Sequence, residues 1–199
     1  AYAGVSVPLP DKDMAGMLTL QLLYSDEKFS VPKNVYIIGT MNTADRSIAA
    51  IDTALRRRFG FREMLPQADV LDCIEVDGIS VSNMLKKMNR RIEVLYDREH
   101  TIGHAYFMPL QYDNSIECLA DIFKDKIIPL LQEYFYEDYE KIRLVLGDNQ
   151  KTAEYQFILK EQVDETELFG EDTDVIEEAY KYSINEEAFT VIDAYEKMI

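Results

Sequence analysis

"NVYIIGTMNTADRSIAAIDTALRRRF", residues 34–59, is the stretch on which the fold turns. It opens with Val35, Tyr36, Ile37 and Ile38 in an unbroken apolar run, bounded by a turn before it and Gly39 after it. Such a run suits a strand buried on both faces, as in a parallel sheet; a half-exposed strand would alternate polar and apolar residues. Asn42, Thr43, Asp45 and Arg46 follow. Ile48, Ile51 and Leu55 then recur at helical spacing, with Ala44 and Phe59 extending the stripe and Asp45 as the N-cap. The helix closes on Arg56, Arg57 and Arg58. Strand, short polar turn and helix point to the α/β fold class.

Two pieces of chemistry sit on this unit. In open α/β sheets, ligands bind beyond the carboxyl ends of the strands, which is where Asn42 is expected. A carboxamide there accepts from a water and donates to a phosphate oxygen, as a water-positioning group does in phosphoryl transfer. Asp45 would polarise the same water or fix Arg46. The same residue types also build turns and caps, and on spacing alone that reading carries the greater weight. The three arginines have a structural reading as well, since a cation at a helix C-terminus gains ~0.3–1 kcal/mol from the macrodipole. One would suffice for that. Three in a row suggest an anionic partner, and an arginine donated across a subunit boundary accelerates phosphoryl transfer roughly 10³–10⁵-fold.

The surrounding composition sets bounds. With 199 residues, 47% apolar and 11% aromatic, the chain can build one large or two small cored domains. No apolar run approaches the ~20 residues that span a bilayer, so no membrane partner is expected. "AYAGVSVPLPDKD" does not read as a signal peptide. Cys73 and Cys118 form no metal or redox motif, which favours reduced thiols in the cytoplasm. Net charge is −16, unevenly spread. Residues 1–70 hold eight basic and eight acidic side chains, whereas residues 150–199 hold four lysines against fourteen acids. The acidic end should repel nucleic acid, so any DNA contact is expected from regions outside this chain.

Three regions emerge along the chain. Residues 1–70 mix strand and helix signals, with "LTLQLLY" (18–24) as a strand and "SDEKFSVPKN" as a turn. Residues 71–148 read as mainly helical. Met84, Leu85, Met88, Ile92 and Leu95 share one face, and Ile116, Leu119, Ile122, Phe123 and Ile127 repeat the pattern. Pro129 should break or restart a helix, and Gly147 should stop one. Residues 149–199 form an acidic extension packed on this helical region, with "YQFILKEQV" as a strand and "NEEAFTVIDAYEKMI" as a closing helix.

"MNTADRS" within "GTMNTADRSIAAIDTALRRRF" resembles the signature of the McrB family, the AAA+ GTPase subunits of modification-dependent restriction endonucleases. "FSVPKNVYIIGT", "TIGHAYF" (101–107) and "IIPLLQEYFYEDYEKIRLVLGD" (127–148) match in the same order. The resemblance covers roughly residues 18–148. It implies a partial AAA+, P-loop-NTPase-like core carrying sensor 1, followed by a helical lid. It makes Asn42 the sensor, with Thr43 beside the nucleotide and Asp45 and Arg46 helping to place the attacking water. Arg57 and Arg58 become the finger acting on a neighbour's nucleotide, with Arg56 structural. Gly103 and His104 would open the lid helix facing the nucleotide, although arginine is usual there. The implied cofactor is GTP or ATP with Mg²⁺. The implied partners are a homo-oligomeric ring, a hexamer, and a separate nuclease subunit.

The sequence departs from a complete motor. No glycine precedes a lysine, so G-x-x-x-x-G-K-[ST] is absent. Asp26-Glu27 sits in a hairpin-turn context and is rejected as a magnesium site. These 199 residues are therefore read as a fragment lacking Walker A and Walker B, not expected to bind nucleotide tightly alone. The rival readings are a non-catalytic AAA+-derived scaffold and a piece of a MoxR- or dynein-related chaperone ATPase. His100 and His104, four apart around Gly103, are not expected to bind metal. "DREH" (97–100) reads as capping or solvating a helix end, and Tyr134, Phe135, Tyr136 and Tyr139 as core packing and a subunit contact.

Overall fold

Short strands and helices alternate along the chain, and a computed structural model describes residues 2–7, 20–21, 28–29, 34–42, 57–164, 168, 170 and 180–199. The chain divides into two compact units, Ala1–Leu65 and Pro66–Ile199.

In the first unit, Tyr2–Val7 (β1) lies between Ile37–Asn42 (β4) and Phe61–Met64 (β5), antiparallel to both. Leu20–Gln21 (β2) pairs antiparallel with Lys28–Phe29 (β3). The expectation of a buried strand in a parallel sheet is thus corrected. β4 pairs antiparallel, and Val35, Tyr36, Ile37 and Ile38 are exposed, Ile38 by 74%. The physical reason is that an apolar run reports a strand's appetite for cover, not the direction of the strand beside it. The helix expected over 44–59 falls largely outside the described residues.

The second unit begins with a 3-10 helix, Ala68–Leu71, and a hairpin of Glu75–Val76 (β6) and Ile79–Ser80 (β7). Its turn places Asp77 at φ 47° and Gly78 at φ 88°, the double left-handed geometry that Asp-Gly accommodates. A mainly helical reading of 71–148 leaves this hairpin out, although "VDGI" carries its signal. Val81–Leu95 (α1) follows, capped by the Ser80 hydroxyl, which accepts from the Asn83 amide. Val81, Met84, Leu85, Met88 and Ile92 are buried along one face, as the spacing requires.

A 3-10 helix, His104–Gln111, leads to Ile116–Ile122 (α2), a π-helical segment Phe123–Ile127, and Ile128–Tyr134 (α3). In the π segment the Ile128 amide donates to the Phe123 carbonyl five residues back. Pro129 lies in the first turn of α3, but Ile127 and Ile128 before it are both right-handed helical, so the helix runs on from the π segment and the break or restart expected at Pro129 does not occur. Tyr139–Leu146 (α4) is capped by Asp138 and stopped by Gly147 at φ 73°.

Ile158–Gln162 (β8) and Tyr180–Ile184 (β9) form an antiparallel ribbon. A 3-10 helix, Glu186–Thr190, and Asp193–Glu196 (α5) complete the described chain. The single closing helix expected over "NEEAFTVIDAYEKMI" is therefore two short pieces. Thr190, Val191 and Ile192 are β-branched in succession, and Val191 is extended where they part.

One core serves the whole second unit. Phe107, Phe123, Phe157, Phe189 and Tyr195 are fully buried. Phe123 stacks on Phe157 at 5.7 Å and meets Tyr195 edge-on at 5.1 Å; Phe157 stacks on Phe189 at 5.0 Å. Each such side chain contributes roughly 1.5–3 kcal/mol by burial. The acidic end is tied to the helices through these rings.

Candidate functional site

Asn42 is the last residue of β4, opposite Tyr2 of β1. Tyr2 also stands opposite Met64, so Asn42 lies level with the C-terminal end of β5. Arg57 and Arg58 are exposed in the turn that feeds the N-terminal end of β5 at Phe61, which is level with Gly39. About 10 Å of strand separates these two levels. The sheet therefore does not gather Asn42 and the arginines at one end. Thr43, Asp45, Arg46 and Arg56 lie outside the described residues.

The second cluster sits where α1 ends. Asp97 Oδ1 accepts from the amides of Glu99 at 2.9 Å and His100 at 3.0 Å, and from the His100 ring Nδ1 at 2.7 Å. A carboxylate only accepts, so the ring proton is on Nδ1. Burial raises the Asp97 pKa, but the hydrogen bonds from His100 and Glu99 outweigh it and hold the carboxyl below its ordinary value. The His100 ring is buried between Tyr96, edge-on at 4.3 Å, and Tyr134, edge-on at 4.9 Å. "DREH" thus closes the end of α1, with Asp97 taking up two amides and Arg98 and Glu99 exposed as expected, while His100 is buried because Asp97 supplies its polar partner.

Next along the chain, the Asn89 side chain of α1 holds both backbone groups of Ile102. Its Nδ2 donates to the Ile102 carbonyl at 2.9 Å, and its Oδ1 accepts from the Ile102 amide at 2.7 Å. Gly103 then caps the 3-10 helix that His104 opens. His104 Nδ1 accepts from the Gln67 amide at 3.1 Å. Asn89 and Asp97 set this corner; Asp97 was quoted from sequence only within "DREH", and Asn89 was not picked out. Asn89 sits at the edge of the apolar stripe of α1, and its proximity to Ile102, thirteen residues on, is a tertiary fact. Among the described residues no group of three or more His, Cys, Asp or Glu side chains is placed to hold a metal ion.

A third cluster lies at the end of α4. Asp148 is fully buried and accepts from Lys151 Nζ at 2.8 Å and from the amides of Phe157 at 3.2 Å and Ile158 at 2.9 Å. Arg143 donates to Gln156 Oε1 at 3.1 Å and to the Ile158 carbonyl. Lys151 lies over the Phe157 ring at 4.1 Å, and its burial lowers its pKa to about 8 against the pull of Asp148. Arg91 of α1 donates to the carbonyls of Val145 at 2.9 Å and Lys197 at 3.0 Å. These charges act as staples, each directed at backbone or at one another.

Comparison with known proteins gives the helical segment around the corner a family. Residues 80–143, from the first cap of α1 to Arg143 of α4, match the family model for the McrB alpha-helical lid domain. Over 153 residues, 66% of this chain, the sequence is 38% identical to the "Type IV methyl-directed restriction enzyme EcoKMcrB subunit" of Escherichia coli (strain K12). The match spans 33% of that relative's length. With a cored lid and a long match to such a subunit both in place, the chain is an McrB-type protein.

Proposed function

We propose that this chain is part of an NTP-hydrolysing AAA+ motor subunit of a modification-dependent DNA restriction endonuclease, with GTP as the nucleotide. One observation carries the reading: the order along the chain of "MNTADRS", the tandem arginines and an McrB-type lid. The antiparallel sheet of the first unit does not itself argue for an AAA+ core; the signature and the lid do.

Within this reading Asn42, with Thr43, Asp45 and Arg46 after it, positions the attacking water over the subunit's own nucleotide. Arg57 and Arg58 stabilise transition-state charge on the neighbour's nucleotide in a ring of like subunits. Their placement at opposite ends of β5 suits two half-sites acting on two different nucleotides. Phosphates need a cradle of backbone amides and a lysine, which the sequence does not contain. These residues would therefore supply the sensor and finger sides only, with the phosphate cradle and Mg²⁺ held by P-loop and Asp-Glu motifs outside the 199 residues. A separate nuclease subunit would cut DNA recognised elsewhere. Free thiols at Cys73 and Cys118 fit a cytoplasmic setting.

The test is Arg57→Ala in a subunit that joins this region to a P-loop. Partner-stimulated hydrolysis should be lost while nucleotide binding stays unchanged; undiminished turnover would remove the finger assignment.

A further inference from the structure

The proposed chemistry leaves the ring of His104 unused. The geometry points to a mechanical role: we propose that His104 fastens the segment arriving from the first unit, using its Nδ1 lone pair to hold the Gln67 amide. The first unit ends at Leu65 and the second begins at Pro66. Proline has no N–H, and it biases the residue before it towards extended backbone. The Gln67 N–H is thus the first amide donor the second unit offers. Its acceptor comes from 37 residues further on, Nδ1 of His104 at 3.1 Å.

Both residues stand at helix starts. Gln67 caps the 3-10 helix Ala68–Leu71, and His104 opens the 3-10 helix His104–Gln111. Leu71, Phe107 and Leu110 are buried, so both helices are seated in the core and neither end of the bond drifts freely. Accepting from an amide requires a bare Nδ1, so the ring is the neutral tautomer with its proton on Nε2. The resemblance to the family expects a nucleotide-facing group at this position. Here the ring's lone pair is taken by the chain's own backbone, at the first amide after the boundary between units. This hydrogen bond involves no nucleotide and is present in the 199-residue chain alone.

The experiment is nuclear magnetic resonance on the ¹⁵N-labelled chain, with two variants. In the wild type the His104 ring should show an unprotonated Nδ1 and a protonated Nε2, with a through-hydrogen-bond coupling from the Gln67 amide to Nδ1. His104→Leu removes the acceptor. The Gln67 amide proton should then shift upfield and exchange with solvent roughly fivefold faster, and protease cleavage at Met64–Leu65 should speed up by a similar factor. His104→Asn offers a carbonyl oxygen near the place of Nδ1 and should restore all three readouts. A protonated Nδ1, a missing coupling, or Gln67 exchange unchanged in His104→Leu would overturn the proposal. Should His104→Leu fail to fold, the wild-type tautomer and coupling decide alone.

Discussion

Gly147 and its neighbours show how much hangs on single residues. The backbone at 147 is left-handed, and a Cβ there would stand 3.0 Å from the Lys197 carbonyl and 3.1 Å from Arg91 Nη1. Gly147→Ala should therefore cost about 1–3 kcal/mol from backbone strain and displacement of the arginine, measurable by urea denaturation. Lys151 makes a pH prediction. Its folded pKa, about 8, lies below the ordinary 10.5, so between those values the unfolded chain binds more protons than the folded one. Stability contributed by this group rises with pH across that window, and below about pH 8 the full cost of burying the charge is present. Relative to Lys151→Met, the wild type should gain stability from pH 8 to 10.5; a flat difference would contradict the burial. Gly147 was legible in sequence because a glycine ending an apolar stripe has one common use. Asp148 was not, because its burial depends on the amides of Phe157 and Ile158, nine and ten residues away.

At the scale of elements, helices with strong apolar stripes were readable and strand partners were not. The face of α1 came from spacing alone, since burial follows the helical repeat whatever the neighbour is. β4 came with the wrong partner direction, because pairing is settled by β1, some thirty residues away in sequence. The candidate site divides in the same way. Asn42 could be put at a strand's end from the apolar run, whereas the bonds that engage His100 and His104 could not be seen in "DREHTIGH". The connection from α3 to α4 offers a test. Tyr136 at φ 51° and Glu137 at φ 60° are consecutive left-handed residues without glycine. They bring Asp138 to where its carboxylate accepts from the Lys141 amide at 3.2 Å and caps α4. Glu137→Gly should raise stability by about 0.5–1 kcal/mol, seen as a higher denaturant midpoint with unchanged slope.

For the molecule as a whole, a net charge of −16 opposes compaction. Local pairs offset part of it, including Lys160–Glu140 at 2.5 Å and Lys124–Glu186 at 2.8 Å. Hydrogen bonds led by Lys141 at Asp138 and by Lys160 at Glu140 hold those carboxyls below their ordinary values. Their contribution is present above the ordinary carboxylate range and is lost as pH falls through the folded values. Repulsion acts over longer distances than these pairs, and salt shortens its reach from about 30 Å at ~0.01 M to about 8 Å at ~0.15 M. Raising salt over that range should lift the thermal midpoint by a few degrees; a fall would mean that the pairs outweigh the repulsion. The π-helical segment Phe123–Ile127 has a consequence of another kind. A single π turn is a one-residue surplus carried between two α-helical stretches that keep their faces on the same core. In evolutionary terms it ties the length of this helix to Pro129: a descendant that loses one residue between Phe123 and Ile127 sets that proline inside an unbroken α-helix, where its ring meets a carbonyl, and has to replace it to keep both flanks seated.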